Sequence, residues 1–474
     1  MKYDLILVGS GFSAIFFLQK WLERRPRSRV LILERGARRS WEWQVRNRRN
    51  ADPEFDENNV ISHSGLAGQR WPHTIGLGGG SNCWGANAMR MHPSGFRLRS
   101  EHGVGVDWPI AYEELEPYYS EAEALMAIAG DDDSAVLFPR SRPFPQPRHR
   151  FNEIARVLKT HYPDRFFGMP QARARVKTGN RNPCCANLVC QQCPANAKFM
   201  LIEDMAGLLA DKRVEIRTSI EVTAVIAAGG RVTGVACTDG QRQVEVSGDL
   251  IVLGANAIYN PFLLLRSGID HGPVGLGLQE QSSVNVTAYV GGGLNGANGS
   301  SPFAGVGYQY LVGDHLSHAA GGFFEVGNGW LLRPDAKRWG SMLTITALFD
   351  DFRQERNRVI IARDMPNKPE VHFEDWSAYS HAGRAHFRDT IAKLLEPLDV
   401  ESIVITLPES GGLAHLQGTT VMGNDPATSV VDSGMVHHVH RNLLVLGSGA
   451  FPTAGGVNPT LTLSALALRA ADRL

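Results

Sequence analysis

Short apolar runs that end on glycine alternate in this 474-residue chain with stretches of helical period, and they cluster in three separated places. Residues 2–8 (KYDLILV) predict a buried strand that breaks into Gly9-Ser10-Gly11-Phe12-Ser13-Ala14, after which residues 15–22 take up an apolar helical period. Residues 29–33 predict a second strand. Further on, 214–218 and 221–228 read as strands. Residues 249–253 (DLIVL) read as a buried strand running into Gly254-Ala255-Asn256-Ala257 and a helix over 259–265. Between 285 and 411 the pattern changes to alternation of apolar and polar residues, as in 342–349 and 358–362, broken by Gly, Asn and Pro. That alternation predicts a mostly antiparallel sheet.

The expected fold is therefore α/β, with a Rossmann-like dinucleotide-binding domain that is discontinuous in sequence. Residues 1–110, 196–284 and 412–474 are assigned to it, and residues 111–195 and 285–411 to a substrate domain. The first strand, turn and helix carry G-x-G-x-x-A in its proper setting. Gly9 permits the tight turn, Gly11 lets the backbone approach a pyrophosphate, and the small Ala14 allows close packing of helix on strand, with the phosphates at the helix N-terminus. Glu34, at the end of the second strand, is placed to accept hydrogen bonds from a ribose diol.

The C-terminal segment adds chemistry. His415, in His415-Leu416-Gln417-Gly418-Thr419, and Asn458, in Gly455-Gly456-Val457-Asn458-Pro459-Thr460, make a candidate catalytic pair. A histidine takes a hydroxyl proton and an amide holds the oxygen, which is what oxidation of an alcohol by hydride transfer requires.

Composition narrows the partners. Lys plus Arg and Asp plus Glu are both 48, so nothing global favours nucleic acid or an anionic membrane. A strand already begins near Lys2, which makes a cytoplasmic location the expectation. The apolar run at 461–471 is too short and too interrupted to span a bilayer, so no transmembrane helix is expected. The arginine-rich stretch at 37–60 reads as a solvated excursion without assigned chemistry. The glycine-rich stretch at 291–307 reads either as a lid or as hairpin connections.

A second glycine run, Gly76-Leu77-Gly78-Gly79-Gly80-Ser81-Asn82-Cys83-Trp84-Gly85, suits a backbone lying against a flat ring system. Four ordered motifs now stand together. They are the N-terminal G-x-G-x-x-A with Glu34, the GGGSNCW loop, Asp107-Trp108-Pro109-Ile110 with Leu115-Glu116-Pro117-Tyr118-Tyr119, and the C-terminal HLQGT with FPTAGGVNPTLTLSALALRAAD. Together they resemble the glucose-methanol-choline (GMC) oxidoreductases, closest to the branch with the catalytic subunit of bacterial FAD-dependent glucose dehydrogenases and the pyranose oxidases.

The resemblance implies FAD, a sheet-based substrate domain over the isoalloxazine, and oxidation of a hydroxyl carbon. On matching positions it implies that Gly9, Gly11, Phe12, Ser13, Ala14 and Glu34 hold the ADP half, with Val222 beside the adenine. Gly80, Ser81, Asn82 and Cys83 would run beside the flavin, and Gly449, Ala450 and Asn458 would lie near its pyrimidine end. His415 and Asn458 fall on the family's active-site pair. Cys83 stands near the position where some relatives carry a flavin-linked histidine, so noncovalent FAD is expected, with a cysteinyl link as the alternative.

Four of the six cysteines, Cys184, Cys185, Cys190 and Cys193, form C-C-x4-C-x2-C-P. Clustered thiols with a following proline suit an iron-sulfur cluster. A tetrahedral zinc and thiols without metal, reduced or disulfide-linked, are the alternatives. The glucose dehydrogenase subunits carry a three-iron cluster in a similar segment. His437, His438 and His440 read as alternation on a half-exposed strand, and His63, His73 and His92 as ordinary loop residues. The expected function is oxidation of a sugar, amino sugar, cyclitol or other polar alcohol, with a small-molecule or protein electron acceptor. An oxygen-using oxidase or a flavin-containing lyase of the same fold is the alternative.

Overall fold

The computed structural model describes residues 2–291, 293–329, 341–408, 410 and 412–474. The strand Lys2–Val8 is apolar because it lies in the middle of a sheet with both faces covered. Leu5, Ile6 and Leu7 are fully buried. It pairs in parallel with Val30–Leu33 on one side and with the end of Gln243–Leu253 on the other. Val214–Arg217 extends the parallel order beyond Val30–Leu33, and Leu443–Val445 lies on the far side of Gln243–Leu253. The front half of Gln243–Leu253 instead turns antiparallel into a meander with Arg231–Thr238 and Glu221–Ala228. One long strand thus serves two pairing patterns in a seven-stranded sheet.

The helices Phe12–Arg24 and Thr460–Asp472 pack against each other, and Tyr112–Met126 packs on the second of them. The parallel strands all end at one edge, where Gly9, Glu34 and Gly254 meet. A crevice outside the carboxyl ends of parallel strands is where such sheets bind ligands.

The second sheet has six strands, in the order Val400–Thr406, Ser282–Val290, Ser341–Phe349, Gly322–Gly327, Phe303–Gly307 and Phe166–Phe167, and every neighbouring pair is antiparallel. The predicted antiparallel region therefore folds as expected. Alternation gives its strands two unlike faces. Val284, Val286, Ala288, Leu343, Ile345, Phe324 and Val326 pack against Phe387, Ile391 and Leu394 of the helix Ala378–Leu394. That helix starts at Ser377, whose side chain accepts from the Ser380 N–H. The opposite face carries Ser283, Asn285, Thr287, Thr344 and Thr346. Its far end joins the core of the nucleotide domain through Phe323, Leu348 and Val306.

Two ambiguous stretches now have physical explanations. Asn295 and Asn298 tie the glycine-rich run to Glu153, at the start of the helix Glu153–His161, and the end of the run is the sheet strand Phe303–Gly307. Gly292, within that run, lies outside the described residues. The arginine-rich stretch folds into the helix Trp41–Asn47, with Arg39 paired to Asp52 and the guanidinia of Arg39 and Arg49 over the Trp43 ring. Among the described residues no helix is long and apolar enough to cross a membrane.

Phe387 is fully buried and its ring meets Tyr310, Phe324 and Phe349. Phe387→Ala is expected to destabilise the protein by about 3–5 kcal/mol, the range for emptying such a site. A lowered thermal unfolding midpoint would show it; an unchanged midpoint would mean the two layers do not depend on this contact.

Candidate functional site

Gly9 has φ +90°, and a Cβ there would lie 2.8 Å from the Gly254 carbonyl oxygen. A Cβ on Gly254 would in turn meet Ala14 at 3.0 Å. Two strand ends and one helix start are thus in backbone contact, which only small residues allow. Gly11, by contrast, faces open space, with nothing within 4 Å of the position of its Cβ. A cleft opens there, and its walls include Gly9, Gly11, Glu34, Gly80 and Val222.

Glu34 is buried, its carboxylate accepting from Ser10 Oγ at 2.6 Å and from the Gly36 N–H at 2.9 Å. Burial pushes its carboxyl up, and those hydrogen bonds oppose the rise. Phe12, Ser13 and Ala14 turn into the core beneath the cleft; Phe12 packs on Trp84 with ring centroids 4.7 Å apart. Arg35, Thr74, Asn256 and Tyr259 also line the cleft. Arg35 and Thr74 come from loops without a motif, Asn256 and Tyr259 from the first turn of the helix Asn256–Arg266, and the sequence carried no signal for them beyond the strand-turn-helix at 249–265.

The GGGSNCW loop forms a short 3-10 turn, Gly79–Asn82. Its side chains face away from the cleft. Ser81 Oγ donates to the Gly78 carbonyl at 2.7 Å and accepts from the Leu201 N–H, while Asn82 Nδ2 donates to the Leu77 carbonyl at 3.0 Å. Both are buried, so they brace the loop from behind and leave the backbone of Gly79 and Gly80 to face the cleft. Cys83 is half-buried and its Sγ accepts from Thr74 Oγ1. Gly449 and Ala450 sit in another short turn, Ser448–Ala450, and the Ala450 carbonyl accepts from the Met422 N–H.

The structure brings His415 and Asn458 together. Gly418, at φ +81°, lets the first segment pass so close to Gly277 that a Cβ would lie 2.1 Å from its carbonyl oxygen. Gln417 pairs with Gln279 through the backbone, and Thr419 Oγ1 donates to the Ala257 carbonyl. The second segment turns at Gly455 and Gly456, both at positive φ, and the Gly455 N–H donates to Asp350 at 2.8 Å.

Between the two segments lies Gln281, which is fully buried. Its Oε1 is 2.7 Å from His415 Nδ1, and its Nε2 donates to the Val457 carbonyl at 2.9 Å. An amide oxygen only accepts, which assigns the proton to Nδ1 and leaves a lone pair on Nε2. Asn458 Nδ2 donates to that Nε2 at 3.2 Å. Asn458 Oδ1 is buried with no partner among the described residues. Burial pushes His415 down to about 4, so the imidazole is neutral at neutral pH and its Nε2 is ready to accept a proton.

Three acids surround this pair. Burial pushes Glu280, Asp350 and Asp351 each up to about 7, against hydrogen bonds from Gln69 and the backbone of 413–415, from Gly455, and from Ser377. Gln281 and these acids had no motif to reveal them. The one clue is Gln279-Glu280-Gln281-Ser282, four polar residues running straight into an alternating strand.

The cysteine segment matches the metal-free alternative among the described residues more closely than a gathered ligand set. All six cysteines are free thiols, and among the described residues no three His, Cys, Asp or Glu side chains are placed to hold a metal. The segment winds through left-handed residues at Ala186 and Leu188. Cys193 is thereby buried, Cys184 and Cys190 are half-buried, and Cys185 is turned out to solvent. Burial pushes the Cys184 and Cys190 thiols up. Neither the iron-sulfur nor the zinc reading has a gathered ligand set here. His437 also differs: it is fully buried, and its Nδ1 accepts from the His440 N–H at 3.1 Å.

Comparison with known proteins bears on the family and the fold. Two family models, both described as GMC oxidoreductase, match residues 165–283 and 351–467. The fructose dehydrogenase large subunit of Gluconobacter japonicus is 28% identical, over 100% of this chain and 98% of its own length. Paromamine 6'-oxidase of Streptomyces fradiae is also 28% identical, over 99% and 90%. Among solved structures, pyridoxine 4-oxidase from Mesorbium loti superposes with a TM-score of 0.65 at 18% identity, covering 99% of both chains.

Because no protein atom crowds Gly11, a side chain there intrudes only on what the cleft holds. Gly11→Val is expected to fold with an unchanged circular dichroism spectrum and to be purified without FAD. Full flavin content in that variant would place the pyrophosphate elsewhere.

Proposed function

We propose that this chain, which belongs to the GMC oxidoreductase family, oxidises a hydroxyl group of a sugar, amino sugar or other polar alcohol to the carbonyl. FAD, the cofactor of this family, supplies the hydride acceptor when bound. The residues present suit it. An open cradle at Gly11 and Gly80 admits a pyrophosphate and a flat ring, buried Glu34 awaits a diol, and Asn458 Oδ1 has no partner among the described residues.

The observation that carries the reading is the locked pair. Gln281 fixes the His415 tautomer so that Nε2 takes the hydroxyl proton of the substrate. Asn458 Nδ2, 3.2 Å from that nitrogen, donates to the substrate oxygen as it loses the proton. General-base help of this kind is worth about 10² to 10⁴ in rate, and one oriented donor about 10² to 10³. The relatives' names support the substrate class, one being a fructose dehydrogenase and another a paromamine oxidase. The hydroxyl- and amide-bearing face of the second sheet supports it independently.

His415→Ala is expected to keep bound FAD and to lose at least 10²-fold in the rate of anaerobic flavin bleaching by substrate. Bleaching at the normal rate would remove His415 as the base. The pH dependence follows from the direction of its shift. The neutral imidazole is the active form, so kcat/KM should hold from neutral pH downward and fall only as pH approaches about 4. A limb near the ordinary histidine value would contradict this. Gln281→Glu sets a carboxylate against Nδ1, favours the imidazolium and should move that limb upward; a stationary limb would mean Gln281 does not govern the base.

A further inference from the structure

One row of residues crosses all six strands of the second sheet in register: Thr406, Asn285, Thr346, Glu325, Val306 and Phe167. The row is graded. Thr406 and Asn285 are exposed and Thr346 is half-buried, whereas Val306 and Phe167 are fully buried in the core shared with the nucleotide domain. Glu325 stands at the boundary, a carboxyl 9% exposed between a polar floor and an apolar wall.

Its environment does not satisfy a charge. Among the described residues its one polar partner is Asn87, whose Nδ2 donates to Oε1 at 2.6 Å. Asn87 carries no charge. The ionisable group facing Glu325 is the buried Tyr308 phenol, which burial and the Glu325 charge both push up. A buried carboxylate is ordinarily paired with a cation or heavily hydrogen-bonded. Left with Asn87 alone, Glu325 is pushed up to about 7 by burial.

The position is also bracketed by the catalytic machinery. Asn87 lies on the same segment as the flavin-facing loop, five residues beyond Asn82. A Cβ on Gly456, two residues before Asn458, would lie 3.2 Å from the Gly321 carbonyl at the start of the Glu325 strand. From Gly321 to Glu325 is four residues of strand, on the order of 13 Å at about 3.3 Å each.

We propose that Glu325 is a substrate-recognition residue that takes a protonated amine, so that the preferred substrate is an amine-bearing polar alcohol. The oxidised hydroxyl then sits at His415 and Asn458, and the ammonium sits on the free oxygen of Glu325. This rests on the alcohol-oxidation reading and narrows it: the polar row meets hydroxyls, and the cation completes an acid on that row whose one polar partner among the described residues is a neutral amide. Pairing an ammonium with a buried carboxylate gives discrimination against analogues lacking the amine, which leave the acid without a counter-charge.

Glu325→Gln separates this role from a structural one, since an amide oxygen still accepts from Asn87. A panel of polyols, sugars, amino alcohols and amino sugars, glucose and glucosamine among them, is mixed anaerobically with the flavin-loaded wild type and variant, and bleaching is followed. The expected result is that the fastest reductants carry an amine, and that the variant loses roughly 10- to 100-fold in kcat/KM for those, with little change for amine-free alcohols. If amine-free alcohols bleach fastest, or if the variant keeps its rate with amines, the role of Glu325 is overturned while alcohol oxidation stands. If nothing in the panel bleaches the wild-type flavin, the alcohol-oxidation reading itself falls.

Discussion

Four consecutive polar residues without any solvent exposure hold this molecule together at its working edge. Gln279, Glu280, Gln281 and Ser282 lie where the nucleotide-binding sheet hands the chain to the second sheet. Buried polar groups cost heavily unless each finds a partner, so the partners here define the local structure. Gln279 joins the backbone of Gln417 and donates from its side chain to the Asp351 carbonyl. Glu280 accepts from Gln69, Gln281 bridges His415 and Val457, and Ser282 meets Ser380 at the start of the helix behind the second sheet. Segments far apart in sequence are fixed against one another by one strap.

That strap explains what could be read from the sequence and what could not. Strand 2–8 and its glycine turn are legible because their burial is a local matter: an apolar run needs both faces covered, and Gly9 needs its φ, whatever the rest of the chain does. His415 and Asn458 are legible as residue types in glycine-bounded segments. Gln281 is not, because glutamine between two polar neighbours resembles any solvated turn until the tertiary structure removes the water. Cys184, Cys185, Cys190 and Cys193 are a case where spacing leaves the geometry open. Their spacing suggests convergence, but the left-handed turns at Ala186 and Leu188 aim Cys185 outward, and spacing alone does not report side-chain direction.

The electrostatics of the interior follow a single rule. His92, His149, His415 and His437 are held down to about 4 by burial. Glu280, Glu325, Asp350 and Asp351 are pushed up to about 7 by the same cause. The two sets act oppositely on stability. Neutral buried histidines contribute stability that is complete above their ordinary value and is lost as pH falls toward 4. Protonated buried carboxyls contribute stability that is complete below their ordinary value and is lost as pH rises through about 7. The fold is therefore squeezed from both directions, with both sets mostly neutral between those limits.

This neutrality bears on catalysis. A site assembled from uncharged forms gives little stabilisation to a substrate at rest, and it responds most when charge develops within it. When Nε2 of His415 takes a proton, the positive charge appears on a ring whose Nδ1 is already held by Gln281 Oε1 at 2.7 Å. That oxygen interacts more strongly with an imidazolium than with the neutral ring, so the hydrogen bond gains strength as proton transfer proceeds. Interactions stronger in the transition state than in the ground state are the ones that accelerate a reaction. The buried amide that sets the tautomer at rest is thus placed where the developing charge strengthens its hold.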